Sequence, residues 1–223
     1  MGNIIAEEKE TKFDILPILK ERYSPRVFSE TPVSELELRT LFEAGRWAPS
    51  SYNRQPWRII WAIKGSSTYK RIEACLSDFN KSWATNAPVL LLTAFKKTTD
   101  EGEENFHALH DLGLFIGNIT AQAQHLGIGL HQMAGVNYEK AKKEFNFPDE
   151  YHIATAIALG YYGGNPDDLP EDLRDQEDPS KRTRMLQREF TFNGNYGTIT
   201  NGLYSSENGL EQNNDQPLKN LND

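Results

Sequence analysis

The longest regular pattern of apolar residues lies between Phe106 and Leu126. Its apolar residues recur at alternating spacings of three and four, which predicts a long amphipathic helix that stops at Gly127. Shorter helical patterns predict four further helices, at residues 13–21, 34–45, 67–76 and 137–145. Ser34 followed by Glu37 fits a capping box at the start of the second of these helices.

Four segments predict strands of a sheet. Two continuous apolar runs, 89–95 and 153–160, are typical of buried strands that are covered on both faces. Residues 57–63 alternate in the manner of a strand, and 189–192 form a candidate edge strand. The stretch 167–178 is rich in Asp and Glu and predicts an acidic linker.

The length of the chain favours one domain with a substantial core. We place that domain at residues 13–197. Residues 1–12 are polar and predict a flexible N-terminus, and the Asn/Gly/Ser-rich residues 198–223 predict a disordered tail.

The composition argues against two classes of partner. A net charge of −8 and a pI near 5.2 disfavour a nucleic-acid binder. The apolar run 87–95 is far shorter than the roughly 20 residues that a membrane helix needs, so we expect no membrane attachment. Cys75 is the only cysteine, and the N-terminus has no apolar signal-peptide core. We therefore expect a cytoplasmic protein.

Two polar stretches combine arginine, serine and proline. The stretch 46–57 holds hydroxyl, carboxamide and guanidinium groups between prolines, which restrict the backbone and orient the donors. The stretch 22–28 again places Arg and Ser around a proline. Each can be interpreted as part of a ligand cradle or as a polar surface loop.

Together the two stretches resemble the FMN-dependent nitroreductase family. The resemblance extends from about Leu16 to about Gly197. The family's Arg-x-Ser-x-Arg and Ala-Pro-Ser-x-x-Asn-x-Gln-Pro-Trp blocks correspond here to Arg22, Ser24, Arg26, Ala48, Pro49, Ser50, Asn53, Gln55, Pro56 and Trp57.

The resemblance implies an α+β, nitroreductase-like fold with a mixed or antiparallel central sheet flanked by helices, in an intertwined homodimer. It implies FMN as cofactor, NADH or NADPH as hydride donor, and a nitroaromatic, quinone or related acceptor in a ping-pong reaction. Two alternatives remain open: a flavin-binding or flavin-sensing protein without turnover, and a flavin-dependent reductive dehalogenase of the same fold. In the family the long central helix forms much of the dimer interface, and the FMN site lies between the subunits.

The resemblance also assigns candidate FMN-binding residues. Phosphate is expected at the arginines, whose planar guanidinium donates two parallel bonds, and a cation beside flavin N1 and O2 is expected at Arg26. A backbone N–H for flavin N5 is expected from 132–135, where Ala134 stands in place of an acidic residue found in many relatives. The candidates are Arg22, Tyr23, Ser24, Arg26, Pro49, Ser50, Ser51, Asn53, Gln55, Gln132, Met133, Ala134, Gly135, Arg182 and Arg184. No catalytic side chain is required, because the cofactor carries the chemistry.

A metal site is the rival chemistry. Glu104, His107, His110 and Asp111 have spacings that place ligands on one face of a helix. A di-iron carboxylate centre needs a second Glu-x-x-His helix, and the sequence contains none. We therefore predict no metal.

Overall fold

The structure is a computed structural model, and it describes residues 7–8, 11, 13–199 and 216–217. Most of the predicted flexible N-terminus and disordered tail lie outside these residues. The helices are α1 Pro17–Glu21, α2 Glu35–Arg46, α3 Ser67–Ala74, α4 Asp78–Ala84, α5 Ala108–His125, α6 Tyr138–Glu144 and α7 Glu171–Arg174. The strands are β1 Glu7–Glu8, β2 Trp57–Ile63, β3 Val89–Lys96, β4 Ile128–Met133, β5 Tyr151–Tyr161, β6 Arg184–Met185, β7 Thr198–Ile199 and β8 Gln216–Pro217.

The chain divides into two compact units, one of residues 15–177 and one of residues 1–14 with 178–223. In the smaller unit, β1 pairs with β6 and β7 pairs with β8, both antiparallel. The predicted edge strand at 189–192 is wrong. Gln187–Glu189 is a 3-10 turn, and the N–H groups of Phe190 and Thr191 bond to the Gln187 carbonyl, so the backbone is paired locally. The domain boundaries 13–197 stay a prediction.

The larger unit is built on a four-stranded antiparallel sheet with the order β2-β3-β5-β4. Its interior strand β3 is buried from Val89 to Ala94, as its continuous apolar run predicted. A β-bulge interrupts the pairing of β3 with β5 between Leu92 and Ala94. There the Thr155 N–H donates to Thr93 Oγ1 at 3.0 Å, which satisfies a backbone group that the bulge removes from the ladder.

Helices cover both faces of this sheet. Odd-numbered residues of β3, such as Val89 and Leu91, pack with α2 and α5, while even-numbered ones, such as Leu90 and Leu92, pack with α3, α4, α6 and α7. The alternation follows from the twofold side-chain period of a strand. The predicted α+β fold with an antiparallel sheet flanked by helices is confirmed.

Local sequence signals account for most helix ends. The predicted capping box is present: Glu37 N–H donates to Ser34 Oγ at 3.2 Å, and Ser34 N–H donates to Glu37 Oε2 at 2.8 Å. Asn137 caps α6 by accepting the Lys140 N–H. In the described part of the chain, no helix is long and apolar enough to cross a membrane.

The stretch 167–178 is not the linker that its acidity predicted. Pro166–Asp168 forms a 3-10 turn that ends at Leu169, α7 follows, and Leu169 and Leu173 both belong to the core cluster on this face of the sheet. Leu169 and Leu173 are each nearly inaccessible to solvent. Two apolar side chains spaced four apart therefore hold an otherwise acidic segment on the core.

Candidate functional site

The loop at residues 22–28 is fixed against the edge strand β4. His131 Nδ1 lies 3.0 Å from the Pro25 carbonyl, and because a carbonyl only accepts, Nδ1 carries the proton. The Pro25 ring packs on Gly129 so closely that a Cβ there would lie 2.5 Å from Pro25 Cγ. Tyr23 stacks on Tyr162 with ring centroids 4.8 Å apart. The loop is therefore built against a rigid strand.

Arg26 lies beside Trp83 of α4, which also contacts His131. The Arg26 guanidinium carbon lies 6.0 Å from the Trp83 ring centroid, and the Trp83 and His131 centroids are 4.5 Å apart. Burial, opposed by the Pro25 hydrogen bond, lowers the pKa of His131 to about 4, so this ring is neutral at pH 7. Arg26 Nε and Trp83 Nε1 are buried without a hydrogen-bond partner in the described structure. The contact between Arg26 and Trp83 therefore holds two buried N–H donors that lack an acceptor.

The backbone of Arg26 is held by a residue from the far end of the unit. Glu177 is 7% exposed, and each of its carboxylate oxygens lies 2.9 Å from the Arg26 N–H. Glu177 Oε1 also accepts the Val27 N–H at 3.4 Å, and Gln176 Oε1 accepts from Arg26 Nη2 at 3.2 Å. Burial raises the pKa of Glu177.

The segment that follows β4 offers a backbone donor at the sheet edge. The Tyr162 N–H donates to the Gly127 carbonyl, which sets the hydrogen-bond alternation of the pair β4–β5. The odd-numbered residues of β4 hydrogen-bond to β5, and the N–H groups of its even-numbered residues point away from β5. Strand β4 ends at Met133, and Ala134 directly after it is exposed. Next to it, a Cβ on Gly135 would lie 2.5 Å from Asn80 Nδ2 and 2.6 Å from Ser77 Oγ. Only glycine lets the backbone pass this close to α4.

The predicted polar stretch 46–57 concentrates backbone strain in its loop, residues 49–55. Tyr52, Asn53 and Gln55 all have positive φ, between 48° and 54°, a conformation that residues other than glycine seldom adopt. The turn is held by the Gln55 N–H, which donates to Ser50 Oγ at 3.1 Å, and Tyr52 is 89% exposed. Backbone strain often accumulates at functional loops, and this favours the interpretation of the stretch as a ligand cradle.

A buried carboxylate on α5 supports the strained loop. Asp111 is 2% exposed, and both its oxygens lie 3.2 Å from the Ser51 N–H. A groove of about 350 Å³ lies over this contact, lined by Pro49, Ser50, Ser51, His107, His110, Asp111 and Leu114. The loop therefore presents its hydroxyl groups at the edge of an open groove.

The two cradles lie on opposite faces of the sheet. Val27 and Trp83 belong to the core beneath α3 and α4, whereas Ala48 and Trp57 belong to the core beneath α5. The structure brings residues 22–28 into contact with Gly129 and His131 of β4, and no described contact joins residues 49–55 to them within this unit. Arg182 and Arg184 belong to the smaller unit, where Arg184 lies in β6.

The four residues of the rival metal motif do not form a cluster of metal ligands. Glu104 precedes α5 and is exposed, as are His107 and His110, while Asp111 is buried and faces the loop. Within the described ranges, no group of three His, Cys, Asp or Glu side chains could hold a metal ion. The spacing places four residues on one face only if a helix runs through all of them. Helix α5 begins at Ala108, so Glu104 and His107 lie before it.

Four residues of the site were missed by sequence reasoning: Trp83, Asp111 in its role beneath the loop, His131 and Glu177. Glu177 was assigned to a linker, and its partner Arg26 is 151 positions away. His131 directly precedes the predicted segment 132–135, which is the one signal that could have singled it out.

Comparison with known proteins gives the class of this fold. The chain aligns with the crystal structure of an oxidoreductase containing FMN, with a TM-score of 0.78 and 30% identity, over 84% of this chain and 95% of that one. A candidate NAD(P)H nitroreductase of Bacillus subtilis is 27% identical over 69% of this chain and 85% of its own length. The FMN reductase [NAD(P)H] of the same organism is 24% identical over 66% of each chain.

The model of the nitroreductase family matches residues 19–84 and 71–161, which together span more than half of the chain. The chain belongs to the nitroreductase family. The family predicted from the two arginine- and proline-containing blocks is thus confirmed. The prediction of an NAD(P)H- and FMN-dependent oxidoreductase is confirmed at the level of the family.

Proposed function

We propose that this chain is an FMN-dependent oxidoreductase that passes hydride from NADH or NADPH to a nitroaromatic, quinone or related acceptor in a ping-pong cycle. The observation that carries this proposal is the loop 22–28, which is fixed against β4 at Gly129 and His131, on the strand that leads into the exposed Ala134. Cationic and hydroxyl groups and a backbone donor there lie along one sheet edge, which suits the several polar parts of one long ligand.

The described residues fit FMN on structural grounds. Arg26 Nε and Trp83 Nε1 are buried donors that need an acceptor, and an unsatisfied buried donor costs about 1–3 kcal/mol. Ala134 is exposed and has a small side chain, so a planar group can approach its backbone. We assign the phosphate to Arg22, with Arg182 and Arg184 as further candidates.

Bound flavin supplies the hydride-transfer chemistry itself. The residues of the chain bind and orient it. In the bound state, Arg26 would place a positive charge near the flavin ring, the Ala134 N–H would serve as a donor to the ring edge, and Ser24 would hydrogen-bond the polar chain. His131 stays neutral and fixes Pro25, so it adds no second charge beside Arg26.

We further propose a homodimer in which the loop 49–55 of one subunit completes the site of the other. Within one chain this loop lies on the opposite sheet face from residues 22–28, so a single site that uses both needs a second copy. The solvent-facing side of α5 carries Leu109, Gly113 and Gly117, all exposed, and nothing lies where a Cβ on either glycine would be. Small exposed residues permit the close helix contact that a twofold interface needs.

Flavin binding and turnover test the core of the proposal. We expect titration of the protein with FMN to quench flavin fluorescence, and we expect steady oxidation of NADH or NADPH with a quinone or nitroaromatic acceptor. Absence of FMN binding would contradict the proposal. Binding without turnover would favour a flavin-sensing protein, and turnover confined to halogenated phenols would favour a reductive dehalogenase.

Arg22→Ala tests the phosphate assignment. We expect it to weaken FMN binding more than riboflavin binding, because only FMN carries the phosphate that a guanidinium clamps. Arg39→Ala is the matched control, since Arg39 pairs only with Glu35 on the exposed face of α2 among the described contacts. Equal losses for both ligands would remove Arg22 from the phosphate site.

Mixing two inactive variants tests the shared site. If Arg22 and Asn53 act in one site from different subunits, a heterodimer of Arg22→Ala and Asn53→Ala holds one intact site and one doubly altered site. Random exchange should then restore about a quarter of wild-type activity. No restoration after verified subunit exchange would place both loops in the site of a single chain.

A further inference from the structure

Arg26 is held at both its backbone and its side chain by two consecutive residues. Glu177 binds the N–H groups of Arg26 and Val27, and Gln176 accepts a bond from the Arg26 guanidinium. We call this pair the 176–177 clamp. It lies about 150 positions from its target in sequence, so its position depends on the packing of Leu169 and Leu173 against the core.

The clamp adds to other contacts that already hold the loop 22–28. His131 and Tyr162 already fix the loop at Pro25 and Tyr23. Burying a carboxylate is costly unless hydrogen bonds compensate it, and here the compensating bonds all come from residues 26 and 27. The buried charge is thus placed at the residue whose cation faces the proposed flavin site.

We propose that Glu177, together with Gln176, is a positioning residue that sets how strongly Arg26 acts on the reduced flavin. The inference rests on the proposed function. Withdrawing the Glu177 carboxylate frees the Arg26 backbone, so the guanidinium moves away from the negative charge that reduction creates. Reduced FMN is then stabilised less than oxidised FMN, and the midpoint potential falls.

The decisive variant is Glu177→Asp, which keeps the charge but shortens the reach by one methylene group. We expect the preference for reduced over oxidised FMN to fall about three- to tenfold, which for a two-electron couple is about 15–30 mV toward negative potentials. Arg26→Gln should shift the potential in the same direction. Adding Glu177→Asp to Arg26→Gln should give no further shift, because the clamp acts through Arg26.

Glu171→Asp is the matched control, since Glu171 is an exposed acid of the same segment, and we expect it to keep the wild-type potential. If Glu177→Asp does not retain FMN, Gln176→Leu provides the same test, because it removes only the acceptor of the guanidinium. If Glu177→Asp lowers the melting temperature but leaves the midpoint potential unchanged, the 176–177 clamp only stabilises the fold. That result would overturn the inference. A wild type that binds no FMN overturns the proposed function and the inference with it.

Discussion

His131 makes the stability of the protein depend on pH, and His131→Asn isolates the effect. Asparagine retains a donor for the Pro25 carbonyl but cannot titrate. The folded pKa of His131 is about 4, against 6.5 for an unperturbed histidine, because burial against Trp83 disfavours the charged ring. As pH falls, the unfolded chain therefore takes up this proton first. The ring therefore has almost no effect on stability above about pH 6.5, and the free energy of unfolding falls as the pH drops from 6.5 to 4.

The size of the effect follows from the two pKa values. Their difference limits the total loss to about 3 kcal/mol, and about 2 kcal/mol of it is reached at pH 5. At pH 7 both states are almost entirely neutral at this ring, so the contribution there is close to zero. A change of this size is a large fraction of the stability of a typical domain.

Urea unfolding at pH 7 and pH 5 measures how much the free energy of unfolding depends on His131. The wild type should lose about 2 kcal/mol more than His131→Asn between the two pH values. The variant's lost packing on Trp83 affects both pH values alike and cancels in this difference. His125→Asn, an exposed position at the end of α5, should show the wild-type dependence. An equal pH dependence in wild type and His131→Asn would refute the assignment of a buried neutral ring.

Three further changes probe the loops and the helix cap. Gly135→Ala should cost about 1–3 kcal/mol in thermal or urea unfolding, because its methyl group would contact the Asn80 amide, and no loss would mean that α4 can move away. Asp111→Ala should cost about 1–3 kcal/mol by leaving the Ser51 N–H without its acceptor, and an unchanged unfolding midpoint would show that the loop holds itself. Ser34→Ala should cost about 1 kcal/mol through loss of the capping box, whereas stability equal to that of wild type would make the cap irrelevant.

Local chemistry along the chain determined the elements. The capping box at Ser34, the continuous apolar run of β3 and the apolar periodicity of α5 each predicted an element close to its observed bounds, because hydrogen bonding and side-chain period act over a few residues. Strand β4 was missed, since its six residues include Gly129 and the polar His131 and Gln132. Helix α4 was also missed, although Ser77 is a clear N-cap.

The residue types of the two cradles were likewise evident in the sequence, because arginine, serine and proline recur there in a spacing that the family shares. The positions of the two stretches in the fold were not evident in the sequence. Only the tertiary structure placed 22–28 on the β4 edge and 49–55 on the opposite sheet face, since the face depends on the crossovers of the chain. The partner of Arg26 was equally hidden, because a buried carboxylate has no local pattern. Glu177 became a binding partner through long-range packing that an acidic composition cannot reveal.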